Sequence, residues 1–291
     1  MKRAGYVFGI FAAVALVFHG PSAYAEDRPV LSLTEEQKYT GDLILVNAEH
    51  PYHFDANKDL NLVLISEAQS FAYPLSRDDF RLSAAVMPYL DAMIRDCDAA
   101  MGTSYTSVSS AWRSEEYQQN VRDEYAELYG EDYAEKYVAA PGCSEHHTGL
   151  SVDLGIIYED GSEGTFSESE NAVWMREQSY RYGFVRRYAE DKTEITGISN
   201  EAWHFRYVGY PHSAYMYAEN LCLEEYLALL REETSPSGPL QMEYGEQTYS
   251  VFYTEETEIT EPEGNYTISG DNLNGYIITV LPTDRSGGAA P

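Results

Sequence analysis

The residues best equipped for chemistry fall in two short segments about fifty residues apart. The first runs Ser144-Glu145-His146-His147-Thr148-Gly149-Leu150-Ser151-Val152-Asp153, and the second is Glu201-Ala202-Trp203-His204. Together they offer two imidazoles and a carboxylate at fixed spacing, with a second carboxylate three residues before the last imidazole. That set can hold one zinc ion and leave a coordination position open. Zinc lowers the pKa of a water in that position to about 7, and a carboxylate beside it can take the proton and later hand it to a leaving amine. On this reading His146, Asp153 and His204 are the metal ligands and Glu201 is the general base and acid. If the two segments meet in space, the chain is a metal-dependent hydrolase.

The spacing constrains the elements that must carry these side chains. His146 and Asp153 are seven apart with Gly149 between them, which does not suit one face of a helix. It suits a loop that turns at the glycine and enters a strand, with His204 arriving on a second strand. His147 as the ligand would lose that spacing, so His146 is preferred. Other candidates rank lower. Glu49-His50-Pro51-Tyr52-His53 fits a surface turn around its proline, and His212, after Gly-Tyr-Pro, is expected at the surface. Cys143 fits plain packing, since no Cys-x-x-Cys spacing supports it.

Periodicity places further elements along the chain. Asp42–Asn47 and Asp59–Glu67 read as strands, and apolar residues at three- and four-residue steps predict a helix from about Asp79 to Met101. Tyr105–Ala111 is a strand rich in β-branched and hydroxyl residues, and Glu115 to about Tyr137 is polar and helical with a break at Gly130. Leu150–Ile157 reads as the strand carrying Asp153, and Trp203–Val208 as another strand candidate. Asn171–Tyr182 and Ser213–Arg231 are helical, the latter on Leu221, Leu223, Leu227 and Leu230. With no glycine-rich phosphate loop, the fold class is α+β: a small, mainly antiparallel sheet with flanking helices around a zinc site. After a linker at 233–240 come short β-type runs, the last two joined by Gly270–Gly275 as a hairpin. They predict a small C-terminal β appendage over 241–285 and a flexible tail over 286–291.

The first 25 residues stand apart from the fold. Lys2 and Arg3, an apolar Ala4–Phe18 and Ala23-Tyr24-Ala25 read as a cleaved secretory signal, followed by a linker to about residue 40. The apolar run is too short for stable membrane insertion. The chain has 291 residues and a formal net charge of −29, so loss of Lys2 and Arg3 leaves −31. Such a chain has no means of gripping nucleic acid through phosphates, nor a basic stripe for an anionic membrane. Its three cysteines, Cys97, Cys143 and Cys222, do not make a disulfide scaffold.

Ser144-x-His146-x-x-Gly149-x-x-x-Asp153 followed by Glu201-x-Trp203-His204 resembles the D-alanyl-D-alanine carboxypeptidases of the VanY type. These belong to a zinc peptidase group that also holds D-Ala-D-Ala dipeptidases and peptidoglycan L,D-carboxypeptidases. The flanks agree: Trp112-Arg113-Ser114-x-x-x-Gln118 upstream, Tyr182-Gly183-Phe184 between, and Phe205-Arg206-Tyr207-Val208-Gly209 after. The likeness runs from about Asp42 to Arg231. It implies that His146, Asp153 and His204 bind Zn2+ and that Glu201 is the base. It further implies that Arg113 holds the scissile carbonyl and oxyanion, while Gln118 and Ser144 contact the terminal D-residue and its carboxylate. Ser151 replaces the family's usual alanine, Ala111-Trp112 its glycine-tyrosine, and His147 its common glutamine. The expectation is a secreted, cell-wall-associated monomer that removes the C-terminal D-Ala from peptidoglycan stem peptides. An L,D-carboxypeptidase or a D-Ala-D-Ala dipeptidase would keep the same site, and a non-catalytic peptidoglycan-binding module would keep the cleft without the turnover.

Overall fold

The computed structural model describes residues 28–103 and 105–282; the expected signal segment and the tail from Ser286 lie outside them. The described chain opens with β1 (Val30–Ser32), β2 (Leu62–Leu64), the single turn α1 (Ile65–Ala68) and β3 (Arg81–Ser83). Next come α2 (Met87–Met101), β4 (Thr106–Ser110) and a helical hairpin of α3 (Glu115–Tyr129) and α4 (Glu131–Tyr137). The site-bearing region continues through β5 (Ser151–Ile157), β6 (Glu163–Gly164), α5 (Glu170–Gln178), β7 (Phe184–Tyr188), α6 (Thr193–Thr196) and β8 (Glu201–Tyr207). Two helices, α7 (His212–Ala218) and α8 (Leu223–Glu233), lead into β9 (Leu240–Tyr244) and β10 (Gln247–Thr254). The last strands are β11 (Glu258–Thr260), β12 (Tyr266–Gly270) and β13 (Tyr276–Val280).

The sheet that carries the site is antiparallel in the order β4-β5-β8-β7, with β6 added to β5. Its apolar face is covered by α2 and α5. Leu90, Met93, Ile94 and Cys97 of α2 meet Val108, Val152, Leu154 and Phe205 of the strands in one core. The fold class is therefore α+β with small antiparallel sheets, as the residue pattern predicts. A second core joins α8 to the C-terminal sheet, order β12-β13-β10-β9: Leu223, Tyr226, Leu227 and Leu230 pack with Met242, Val251 and Ile277. β1 pairs with β11, so the start of the described chain is tied to that same end of the molecule.

Four local expectations change. The helix predicted from Asp79 begins at Met87, because 81–83 pair with β2 and Pro88, lacking an N–H, fits only a first turn. The expected strand Asp42–Asn47 does not form, although Leu43, Ile44, Leu45 and Val46 are buried: the Arg206 guanidinium donates to the Asp42 and Ile44 carbonyls, and the Leu43 N–H donates to the Ser269 hydroxyl. Side chains thus satisfy a backbone that a ladder would otherwise serve. The single helix expected over Ser213–Arg231 breaks where Asn220 takes a left-handed φ of 51°, and α8 restarts with Glu225 closing back on the Cys222 N–H. Finally, His212 is buried rather than at the surface. All three cysteines are free thiols.

Candidate active site

A 3-10 turn at Glu145–Thr148, capped by the Ser144 hydroxyl, presents His146. The chain reverses at Gly149, whose φ of 70° disfavours a side chain, and runs directly into β5. Asp153 of β5 lies opposite His204 of β8 in the antiparallel register, so their side chains emerge together on one face. Residues three apart on a regular strand face opposite ways. Here the β7–β8 register shifts between Arg186 and Tyr188, two steps on β7 spanning four on β8, and Glu201 turns toward the His204 side. Glu201 Oε2 ends 3.9 Å from His204 Nδ1.

His146, Asp153 and His204 each aim one ligand atom at a common point, all within 4.8 Å of one another. His146 Nδ1–H donates to the Ala111 carbonyl at 2.6 Å, which fixes the tautomer and leaves Nε2 as a lone pair 3.3 Å from Asp153 Oδ2. His204 Nδ1 sits 2.8 Å from Asp153 Oδ1. The neighbour His147 is committed elsewhere: Nδ1 donates to the Arg113 carbonyl and Nε2 accepts from the Gly142 N–H. One cleft of about 170 Å³ is lined by Arg113, Gln118, Ser144, His146, Asp153, Glu201 and His204. Every site residue expected from the sequence reaches it. Trp203 lines its wall, while Glu49–His53 takes no part.

Charge is distributed unevenly across this cleft. Burial pushes the Glu201 carboxyl up to about 8; His204 and Arg113 oppose that rise, and Asp153 and Glu145 add to it. Burial also lowers His146, to about 4, with Arg113 adding to the effect. For His204 burial acts downward, but hydrogen bonds to Asp153 and Glu145 raise it to about 9. Asp153 is held well below the usual carboxylate range: burial alone would raise it, and the two imidazoles outweigh that. Arg113 spans three partners, donating through Nε to Ser110, through Nη1 to Gln118 and through Nη2 to Asp153. Gln118 is itself anchored by donating to the Ala139 carbonyl.

The residue pattern did not reveal the buried support behind the candidate ligands. Glu145 is fully enclosed, with Oε2 3.5 Å from His204 Nε2. Its Oε1 accepts from Arg187 Nε at 2.8 Å and Arg206 Nη1 at 3.0 Å. Burial alone would raise this carboxyl, yet the two guanidiniums hold it well below its ordinary range. Arg187 is in turn gripped by Glu224 of α8. Tyr188 lies against the other side of the His204 ring, centroids 4.9 Å apart. The available signal was an acid directly before the candidate ligand, with arginines flanking aromatic positions on two strands. Nothing in those spacings shows that they meet.

A sheet that brings two imidazoles and a carboxylate together, with a buried carboxyl and an arginine in the same cleft, defines a hydrolase with a built-in cation site. Known proteins agree. Residues 79–210 match the family model described as VanY, D-alanyl-D-alanine carboxypeptidase. A D-alanyl-D-alanine carboxypeptidase of Enterococcus faecium is 35% identical over 267 residues, covering 90% of this chain and 82% of that protein. The solved vancomycin resistance D,D-dipeptidase VanXYg, in complex with a D-Ala-D-Ala phosphinate analogue, superposes with a TM-score of 0.76 at 32% identity, over 87% of this chain and 98% of that one. The D,D-pentapeptidase VanY from the VanB-type resistance cassette, in complex with Zn(II), gives a TM-score of 0.53 at 40% identity, over 64% and 98%. The chain belongs to the VanY family of D-alanyl-D-alanine carboxypeptidases, and it is an enzyme of the peptidase class.

Proposed function

We propose that the chain is a zinc-dependent D,D-carboxypeptidase that removes the C-terminal D-Ala from peptidoglycan stem peptides outside the cytoplasm. The observation that carries this reading is the convergence of His146, Asp153 and His204 with Glu201 and Arg113 in one cleft. The donor set fits zinc, with two imidazole nitrogens and one carboxylate oxygen converging within 4.8 Å of one another. When bound, zinc would polarise the scissile carbonyl and acidify a water. Glu201 takes the proton of the attacking water on a carboxylate oxygen and delivers it to the departing amine nitrogen. Arg113 can turn a guanidinium N–H toward the carbonyl oxygen as negative charge develops there, a role that a permanently charged planar donor suits. Gln118 and Ser144 line the same cleft, and their amide and hydroxyl would contact the terminal carboxylate. No helix among the described residues is long and apolar enough to cross a membrane. The amino-terminal export signal read from the sequence supports the proposed location.

A second reading keeps the site and changes the substrate. The overlap with a D,D-dipeptidase extends over 87% of this chain, which favours testing free D-Ala-D-Ala as a substrate. Mass spectrometry of products from pentapeptide, tetrapeptide and D-Ala-D-Ala, offered side by side, separates the activities. Release of D-Ala from pentapeptide with about one zinc per chain supports the main proposal. Cleavage confined to the dipeptide or the tetrapeptide replaces it, and tight peptide binding without product at any zinc loading leaves a binding module.

A further inference from the structure

Tyr125, Tyr129, Tyr133 and Tyr137 form a continuous run of rings along the α3–α4 hairpin. Ring centroids lie 5.7 Å apart for Tyr125–Tyr129, 4.9 Å for Tyr129–Tyr133 and 4.5 Å for Tyr133–Tyr137. Within each helix the two tyrosines are four residues apart and share a face, and the turn at Gly130 brings the two pairs together. Three of the rings line the catalytic cleft; Tyr129 lies beyond it. The run becomes more exposed away from the cleft, with Tyr133 at 40% and Tyr129 at 61%, beside Leu128 at 62%. Gln118 and Ala134 are the buried residues of the two helices, and Arg122 of α3 donates to the Val138 carbonyl at the end of α4. A contiguous exposed aromatic strip that opens from a reaction cleft marks a binding surface.

The neighbourhood narrows the ligand. Glu124, Glu127, Glu131, Asp132 and Glu135 surround the strip, so an anionic polymer is repelled. Tyr125, Tyr133 and Tyr137 line the cleft that holds Arg113 and Gln118, and Tyr129 continues the run beyond it, which gives a peptide with its C-terminus at Arg113 and Gln118 a way out across these rings. Three residues outside the cleft extend about 10 Å, two ring spacings of the strip. A pyranose ring is uncharged, presents a flat C–H face to a tyrosine ring, and offers hydroxyls to the phenol groups. We propose that the tyrosine run is a carbohydrate platform that receives the amino-sugar portion of a glycan-linked stem peptide while its C-terminus occupies the cleft. This rests on the D,D-carboxypeptidase reading and deepens it: the preferred substrate is the glycan-linked peptide rather than the free one.

The test compares a disaccharide-linked pentapeptide with the free pentapeptide, using the full-length enzyme, Tyr129→Ala and Tyr129→Phe. Wild type is expected to show a KM about fivefold lower for the disaccharide-linked compound. Tyr129→Ala is expected to abolish that difference, leaving kcat and the free-peptide constants unchanged, and Tyr129→Phe to restore most of it. Saturation transfer from the protein to the sugar C–H protons is expected in wild type and lost in Tyr129→Ala, whether or not the peptide is cut. Equal KM values for the two compounds in wild type, equal losses on both in Tyr129→Ala, or no transfer to the sugar would overturn the proposal. If wild type releases no D-Ala from either compound, the carboxypeptidase reading fails and the saturation-transfer result alone decides the platform.

Discussion

Glu201 and Glu145 are both buried acids beside His204, yet their surroundings shift them in opposite directions. Glu201 faces the cleft with no guanidinium bonded to it, and burial lifts it to about 8. Glu145 is clamped by Arg187 and Arg206 and stays ionised. The first is equipped to move a proton, the second to fix an imidazole. Glu201→Gln should therefore lower kcat by about 10²–10⁴-fold while zinc content stays near that of wild type; a variant that loses the metal as well would remove the basis for assigning proton transfer to this residue. Glu145→Gln should act differently. Removing the carboxylate frees the His204 ring and should weaken zinc binding by about 10–100-fold in a chelator competition. It also leaves two buried guanidiniums under-compensated, so the metal-free protein should lose about 3–5 kcal/mol in urea unfolding. Unchanged zinc affinity would show that Glu145 serves the fold alone. Glu201 was legible in the sequence because Glu-x-x-His is local. The Glu145 clamp was not, because its arginines come from β7 and β8 and meet the acid only in three dimensions.

At the scale of elements, the register of β5 against β8 decides which side chains become neighbours, and the turn at Gly149 decides where β5 begins. The seven-residue step from His146 to Asp153, with Gly149 inside it, was enough to predict a turn followed by a strand. The β7–β8 irregularity that brings Glu201 round was not legible, since strand pairing and bulges leave no mark in residue spacing. His212 shows the same limit. Its position after Gly-Tyr-Pro resembles a surface turn, but its Nδ1 lies 2.6 Å from the Tyr226 hydroxyl of α8 and its Nε2 3.1 Å from the Thr279 hydroxyl of β13. Burial lowers it to about 3 from an ordinary value of 6.5, so the folded protein keeps it neutral where the unfolded chain takes up a proton. Its stabilising contribution is complete above about pH 6.5 and declines as pH falls from 6.5 toward 3, with a slope of up to about 1.4 kcal/mol per pH unit. His212→Gln should be less stable than wild type at pH 7 and should lose less on acidification to pH 4. Parallel stability–pH curves for the two proteins would refute the assignment.

For the molecule as a whole, the C-terminal strands are bound into the structure on two sides. Their sheet packs on α8, and α8 supplies the Glu224 that grips Arg187 behind the candidate metal ligands. Asn272, in the β12–β13 turn, donates to the Leu45, His50 and Pro51 carbonyls of the irregular segment that Arg206 also holds. Asn272→Ala should cost about 1–3 kcal/mol by leaving those buried acceptors short of a donor, measured by urea denaturation. Deleting 235–291 should expose the apolar face of α8 and give an aggregating product with little activity. A soluble fragment with undiminished melting temperature and turnover would show that the sheet is dispensable.

The sequence by itself determined the α+β class and the family, and it singled out the proposed ligand trio and base, because each depends on residue type and on spacing along the chain. The acidic composition, a formal net charge of −29, carried the expectation that the chain does not grip polyanions. Only the tertiary structure decided how that trio is held: the carbonyl that fixes His146, the carboxylate behind His204, the arginines behind that carboxylate and the strip of tyrosines at the mouth. Those are contacts between segments far apart in the chain. Their existence depends on strand register and core packing, which residue order alone does not display.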